Sequence, residues 1–406
     1  MNRSATLVVL DRNGKPLGTF GPIIASGDFR DTVDLTDRAA AAGLELVILR
    51  LLQTPGPVEH DITHCLYAAE ASGRIPANVL LPLSADVALD DHPLRLPYAR
   101  PGGIAADLRW ADAALHARGR QRVGRPQQHR TWNLSCVHRL TLDDGATAWL
   151  KVVPSFFAHE GAMLKFMHES ATATRVPTLL GLDPDNGRVL LEHVDGPLLW
   201  GVPIERWVDV IDAHVATQVA LRERADELLA LGAPDGRNDA FLAAIARLTG
   251  RADVRNCVPG GLLAPLDALV DSLPATLAVL EACGVPTTLV HGDLHPGNVL
   301  GSSAGPVVLD WGDACVAHPF FDLPALCHGM PEADHAAIEQ RFIDAWQAEL
   351  PGADAARAAV LMKPLSALCK ALVYRNFLDH IEPSEHHYHI DDVPNWLTEA
   401  VRRSGR

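Results

Sequence analysis

The stretch His291-Gly292-Asp293-Leu294-His295-Pro296-Gly297-Asn298, followed by Leu309-Asp310-Trp311-Gly312-Asp313, sets two carboxylates and a carboxamide at a spacing that suits phosphoryl transfer. That chemistry asks for a loop Asp that orients or deprotonates an acceptor hydroxyl. It also asks for an Asn five positions on that holds Mg²⁺, and an Asp on the next short strand that holds Mg²⁺ from the other side. Asp293 is the candidate catalytic residue, and Asn298 and Asp310 are the candidate metal ligands. Residues 301–305 with Val307-Val308-Leu309 predict a hairpin that returns Asp310 to the side of Asn298. Pro296 fixes its own φ and Gly297 tolerates conformations closed to other residues, so both shape the loop. A single loop of this composition is equally an ordinary surface turn. Two linked elements at this separation are a much more specific signal.

These two segments resemble the aminoglycoside phosphotransferase and choline kinase-like group, the small-molecule branch of the protein kinase fold. Protein kinases open the same loop with His-Arg-Asp, whereas this chain has His291-Gly292-Asp293, which argues against a protein substrate. The resemblance implies an α+β, bilobal architecture with a small β-rich N-lobe and a large helical C-lobe. It also implies Mg²⁺ and a nucleoside triphosphate, ATP or GTP, as phosphoryl donor.

The remaining parts of such a kinase are expected upstream. Thr147-Ala148-Trp149-Leu150-Lys151-Val152-Val153 is an apolar, β-favouring run around one lysine, and the resemblance makes Lys151 the strand lysine that neutralises the α and β phosphates. Nine residues on, Glu160 shares a helical stripe with Met163, Leu164 and Met167, so it is expected to be buried and to need a cation, which Lys151 supplies. A solvated Glu on a surface helix is the plainer reading of that residue alone. Before the lysine, residues 131–142 and the turn Asp143-Asp144-Gly145 read as a hairpin. Its first half is expected to arch over the phosphates, with backbone N–H groups at Ser135 and Cys136 meeting phosphate oxygens although no G-x-G-x-x-G is present. Asn133 and Ser135 are equally plain turn residues. Residues 189–197 read as the last strand of the small lobe entering the hinge. There the resemblance implies that the Glu192 carbonyl and the Val194 N–H bond the adenine edge. Downstream, Asp322 matches a segment in which an Asp starts a helix and braces the catalytic loop, as an N-cap or as a partner to loop amides. His291 reads as a packed loop residue, and His295 as one able to approach substrate or phosphate. Asp313 is either a partner of the metal ligands or solvated.

Composition agrees without adding much. The chain has 406 residues, 48% hydrophobic and 21% charged, enough for two or more domains. Net charge is -15, which disfavours nucleic acid and anionic membranes as partners. Seven cysteines without a CxxC pair suit a reducing compartment rather than a zinc ribbon or disulfide scaffold. No apolar run reaches the ~20 residues a bilayer span needs, and the N-terminus lacks a secretory pattern, so a cytoplasmic protein is expected.

Residues 1–100 lie outside the resemblance. Leu7-Val8-Val9-Leu10 and residues 45–52 read as buried strands, Asn13-Gly14 as a hairpin turn, residues 31–43 as a helix and residues 62–71 as a further strand. This is an α/β or α+β module without metal spacing, P-loop or nucleophile motif; packing or homodimerisation is its expected use, ahead of the sharper reading that it covers the substrate cleft. Residues 104–195 are then the kinase N-lobe, beginning with a helix over 104–119, and residues 196–406 the helical C-lobe with catalytic loop, metal loop and acceptor site. Helices are expected over 206–231, 262–283, 332–350 and 355–380. The polar stretch 382–392, rich in His and acids, reads as a solvated loop ahead of a substrate wall or a metal site. The function these residues imply is in-line transfer of a γ-phosphoryl group to a small-molecule hydroxyl. An antibiotic is the first acceptor class and an amino alcohol or sugar the second; a nucleotide-binding regulator without transfer activity is the alternative of a different class.

Overall fold

The computed structural model describes residues 2–53, 62–83 and 87–405, and the chain is mixed α+β throughout. It divides into two compact units built from interleaved segments. The smaller comprises Met1–Ala158, Leu179–His193 and His380–His387, and the larger His159–Thr178, Val194–Asp379 and Tyr388–Arg406.

The small unit holds two sheets. Strands β1 (Asn2–Leu10), β2 (Pro16–Ser26), β3 (Leu46–Gln53) and β4 (Ile62–Ala71) form one in the order β2-β1-β4-β3, with β1 and β4 parallel and helix α1 (Val33–Ala41) between β2 and β3. Leu7, Val8, Val9 and Leu10 are all buried, as a strand covered on both faces requires. After helix α2 (Gly103–His116), strands β5 (Arg122–Trp132), β6 (Ser135–Leu142) and β7 (Thr147–Val152) begin the second sheet. Helix α3 (Glu160–Glu169), which belongs to the large unit, intervenes before β8 (Leu179–Asp183) and β9 (Arg188–Glu192) complete it in the antiparallel order β5-β6-β7-β9-β8. β7 buries every second residue, Ala148, Leu150 and Val152, which leaves Lys151 on the other face.

The first hundred residues share their core with this second sheet. Val8, Leu10, Leu49 and Ala68 pack in one cluster with Tyr98, Ile104, Ala111, Leu115, Cys136, Leu140, Leu150 and Leu190. They also cover the edge strand β5, which would otherwise present unpaired backbone groups. Thr131 N–H donates to Arg30 O, Thr32 N–H donates to His129 O, and the Gln128 side chain bonds both the N–H and the C=O of Ile48.

The large unit is helical. It contains α4 (Ile204–Leu221), α5 (Ala225–Ala230), α6 (Asn238–Thr249), α7 (Ala252–Cys257) and α8 (Gly260–Ala282), then α9 (Leu323–Leu326), α10 (Glu332–Glu349), α11 (Ala355–His380, whose last residue joins the small unit) and α12 (Asp392–Arg403). The helix expected over 206–231 breaks at Arg222–Arg224, and α6, α7 and α12 had no counterpart in the sequence reading. Between α8 and α9 lie a ribbon of β10 (Thr288–Val290) with β13 (Cys315–Ala317) and a hairpin of β11 (Val299–Ser302) with β12 (Gly305–Val308). Among the described residues α8 is the one helix long and apolar enough to cross a membrane; Leu266, Leu269, Leu273, Leu277 and Leu280 bury one face of it.

The stretch 382–392 is not the solvated loop its composition suggested. Glu382 is buried and takes three hydrogen bonds from the Arg95 guanidinium at 2.8–3.2 Å, while Arg50, also buried, lies 4.0 Å away. Glu385 and His389 are buried as well, and burial beside Glu382 pushes the Glu385 carboxyl up to about 8. The two glutamates face charged partners from residues 50 and 95, which no local pattern reveals, while His389 Nδ1 lies 3.3 Å from Asp392 Oδ2. The side chain of His387 lies outside the described residues.

Candidate active site

The candidate catalytic segment leaves β10 at Val290, and its first turn is fixed by one carboxylate. Asp322 accepts from the N–H of Gly292 at 2.7 Å and of His291 at 3.2 Å, and its Oδ2 also meets His214 Nε2 at 2.8 Å and Gln218 Nε2 at 3.1 Å. Both outcomes expected for Asp322 were open, and the loop amides are its partners; its carboxylate makes no N-cap bond to α9. His214 and Gln218, one turn apart on α4, are fully buried. His291 is fully buried too: its Nε2 bonds Leu309 O at 2.9 Å and its Nδ1 accepts from Asp293 N–H at 3.2 Å, so the ring carries its proton on Nε2. Burial lowers the His291 pKa, in keeping with a neutral, structural imidazole. Gly292, at φ +80°, has no room for a Cβ, which would stand 2.5 Å from Asp313 O.

Asp293 projects from this turn partly exposed. Lys370, buried on α11, donates to Gly292 O at 2.7 Å and lies 3.3 Å from Asp293 Oδ1, while His295 Nε2 lies 3.4 Å from Oδ2. Burial alone would raise the Asp293 pKa, but the Lys370 charge and the His295 contact outweigh it and hold the carboxyl below its ordinary value. Lys370 shows the reciprocal effect: burial disfavours its charge, and Asp293 and Asp313 more than compensate, so its pKa is raised.

Asn298 closes the loop by donating from Nδ2 to Asp293 O at 2.9 Å, which directs Oδ1 away from that carbonyl. The β11–β12 hairpin pairs Val299 with Val308, and Leu309 N–H donates to Asn298 O at 2.8 Å, so Asp310 follows directly on a residue bonded to Asn298. Asp310 adopts φ +60°, ψ +64°, a left-handed conformation uncommon for a residue with a side chain. Backbone geometry thus brings Asp293, Asn298 and Asp310 into one loop pair. Their donor set, carboxylate and carboxamide oxygens, suits a hard divalent cation such as Mg²⁺.

The other sequence candidates are placed as follows. Glu160 opens α3 in the large unit, 1% exposed, and the preceding His159 reaches Ala314 O at 3.1 Å, beside the Trp311–Asp313 turn. Lys151, Ser135, Cys136 and Glu192 belong to the small unit, and Val194 begins the next stretch of the large one. Ser135 pairs with Trp132 and Cys136 with Thr131, so the β5–β6 turn consists of Asn133 and Leu134. The Cys136 side chain is fully buried in the sheet core. Trp132, at the end of β5, is held by Tyr98, whose hydroxyl donates to its carbonyl at 2.7 Å, and by the Arg30 guanidinium, 4.9 Å above its ring.

Sequence reasoning passed over Lys370, His214 and Gln218. Each left a signal. Lys370 falls on the apolar stripe of α11 with Ala367 and Ala371, and a buried ammonium there demands a counter-ion; His214 and Gln218 fall among Val210, Ile211 and Val215 in the same way.

This chain is similar to known phosphotransferases. The profile of the phosphotransferase enzyme family (APH) matches residues 137–359. The chain belongs to that family. It is an enzyme, a small-molecule kinase of protein kinase-like fold. Among solved structures, APH(2")-IIa in its ternary complex with streptomycin and ATP is 12% identical, with 74% of this chain and 97% of that chain covered at a TM-score of 0.50. A macrolide 2'-phosphotransferase from Brachybacterium faecium is 18% identical, covering 70% of this chain and 98% of that one at a TM-score of 0.48. A choline/ethanolamine kinase family protein from Mesorhizobium loti is 16% identical, with 73% and 98% covered at a TM-score of 0.48. No curated protein matches the chain.

Proposed function

We propose that this family member transfers the γ-phosphoryl group of ATP, or GTP, to a hydroxyl of a small molecule, with Asp293 orienting that hydroxyl and accepting its proton. The observation that carries the reading is the Asp293 carboxylate held ionised by Lys370 and His295, on a loop pinned by Asp322. A carboxylate with a lowered pKa is a weak base, which suits a loose transition state: the hydroxyl is aligned early and gives up its proton late. Asn298 and Asp310 would hold Mg²⁺, which when bound neutralises charge on the β and γ phosphates. Lys151, positioned by Glu160, is assigned to the α and β phosphates. Ser135 and Cys136 are assigned to the triphosphate through their backbone, and Glu192 and Val194 to the adenine. Most of the acceleration then comes from positioning and charge neutralisation.

Antibiotic inactivation is the first acceptor reading, in line with the aminoglycoside and macrolide enzymes named among the structural relatives. A sugar or amino alcohol of metabolism is the second, and the aromatic surface beside Asp293 favours a sugar. The deciding experiment is an acceptor panel with ATP and GTP, read by mass spectrometry for one added phosphate. Product formation that disappears in Asp293→Ala, with nucleotide binding by calorimetry retained, is the expected result. Nucleotide binding without product from any acceptor would instead favour a regulator.

A further inference from the structure

The segment that follows Val194 is tied to the catalytic loop before it delivers a large exposed side chain. Leu199 N–H is shared between Pro296 O at 3.1 Å and Val299 O at 3.0 Å, and Gly301 N–H donates to Pro197 O at 2.8 Å. Trp200, the next residue, is 45% exposed yet closely seated. A Cβ at Gly297 would stand 2.2 Å from its Cζ2, and one at Gly329, where φ is +75°, 2.0 Å from its Cζ3. Two glycines therefore make a slot for the indole, one of them in the catalytic loop itself. Its ring lies 5.2 Å from His295 at an interplanar angle of 33°, and 6.2 Å from His328, while the two imidazoles are 5.2 Å apart. His295 in turn touches Asp293.

Burying about half of the indole in the slot is favourable by itself, and what remains is an apolar aromatic surface held beside the candidate catalytic carboxylate, the kind of surface that a ligand covers. Resting on the kinase reading above, we infer that Trp200 is the platform for the acceptor, and that the acceptor is a neutral saccharide ring. The C–H face of a sugar is apolar and electropositive and suits the negative face of an indole. The ring's edge hydroxyls then meet His295, His328 and Asp293. The surroundings disfavour a cationic acceptor: Lys370 is charged next to Asp293, and burial, with His295 beside it, lowers the His328 pKa, so that ring presents a neutral N–H and N for hydroxyls.

The test uses the full chain, wild type and Trp200→Ala, with glucose, galactose, N-acetylglucosamine and myo-inositol set against kanamycin and choline. Acceptor-independent ATP hydrolysis is measured alongside. The expected result is that a neutral sugar is phosphorylated with at least about ten-fold higher kcat/KM than either cation. Trp200→Ala is expected to raise its KM about ten-fold or more with a smaller change in kcat, and Trp200→Tyr, which keeps an aromatic face, to recover most of that loss. Preference for kanamycin or choline overturns the inference, as does an unchanged sugar KM. An equal fall in hydrolysis and transfer also overturns it, because Trp200 would then be clamping the loop. Hydrolysis without transfer to any sugar refutes the sugar platform while sparing the kinase chemistry; absence of both hydrolysis and transfer refutes that chemistry as well.

Discussion

The candidate catalytic loop and the β5–β6 hairpin are two short turns held in place by different parts of the chain. The loop hangs on charged and polar groups inside the family-matched region or just beyond it: Asp322, His214 and Gln218 on one side, Lys370 on the other. The hairpin hangs on residues outside that region, Arg30, Tyr98 and the backbone around Thr32. The comparison teaches that the candidate catalytic loop is held mainly by residues of the stretch that matches the family, whereas the turn proposed to meet the nucleotide is held by residues outside that stretch.

The contrast can be tested by breaking one side at a time. Asp293→Ala should lower kcat by about 10²–10⁴-fold with nucleotide affinity retained, and turnover near wild type would remove Asp293 from the mechanism. Asp322→Ala strips a buried acceptor from four donors and should cost on the order of 4 kcal/mol, read as a fall in denaturation midpoint together with lost activity; stability near wild type would show that the loop does not hang on it. Lys370→Met removes the charge that lowers the Asp293 pKa, so burial takes over and the carboxyl rises. The acid limb of kcat/KM should move upward into a pH range where the wild type is flat. The stabilisation from the depressed carboxyl, present above its unfolded pKa and lost as pH falls through the folded one, should shrink with it. Tyr98→Phe deletes one hydrogen bond worth about 1 kcal/mol and should raise the nucleotide KM by up to about five-fold with kcat unchanged; a fall in kcat instead would place the hairpin in the chemical step.

What could be read from the sequence follows the same division. That Asp293, Asn298 and Asp310 share one loop pair was legible, because a tight loop and a hairpin fix their separation locally. Strands β1, β3 and β4 and the helix ending at His380 were legible from apolar runs and helical spacing, whereas β2 was signalled only by the Asn13-Gly14 turn before it. Lys370 was passed over because its partner is 77 positions away: the apolar stripe of α11 marks the lysine as buried but does not say which carboxylate receives it. Trp200 was missed for a related reason: its importance lies in two glycines, Gly297 and Gly329, that only the folded chain sets against it. The stretch 382–392 misled because charged residues look solvated until the arginines that neutralise them are found.

Those arginines have a consequence for synthesis. Arg95 leaves the ribosome 287 residues before Glu382, and Arg50 earlier still, so the small unit stays incomplete until almost the whole chain has been made. A chain cut short before residue 380 would leave the buried Arg50 guanidinium without Glu382 and Arg95 with only the exposed Asp91 to receive it, and would not mature even though both of its sheets had been translated long before.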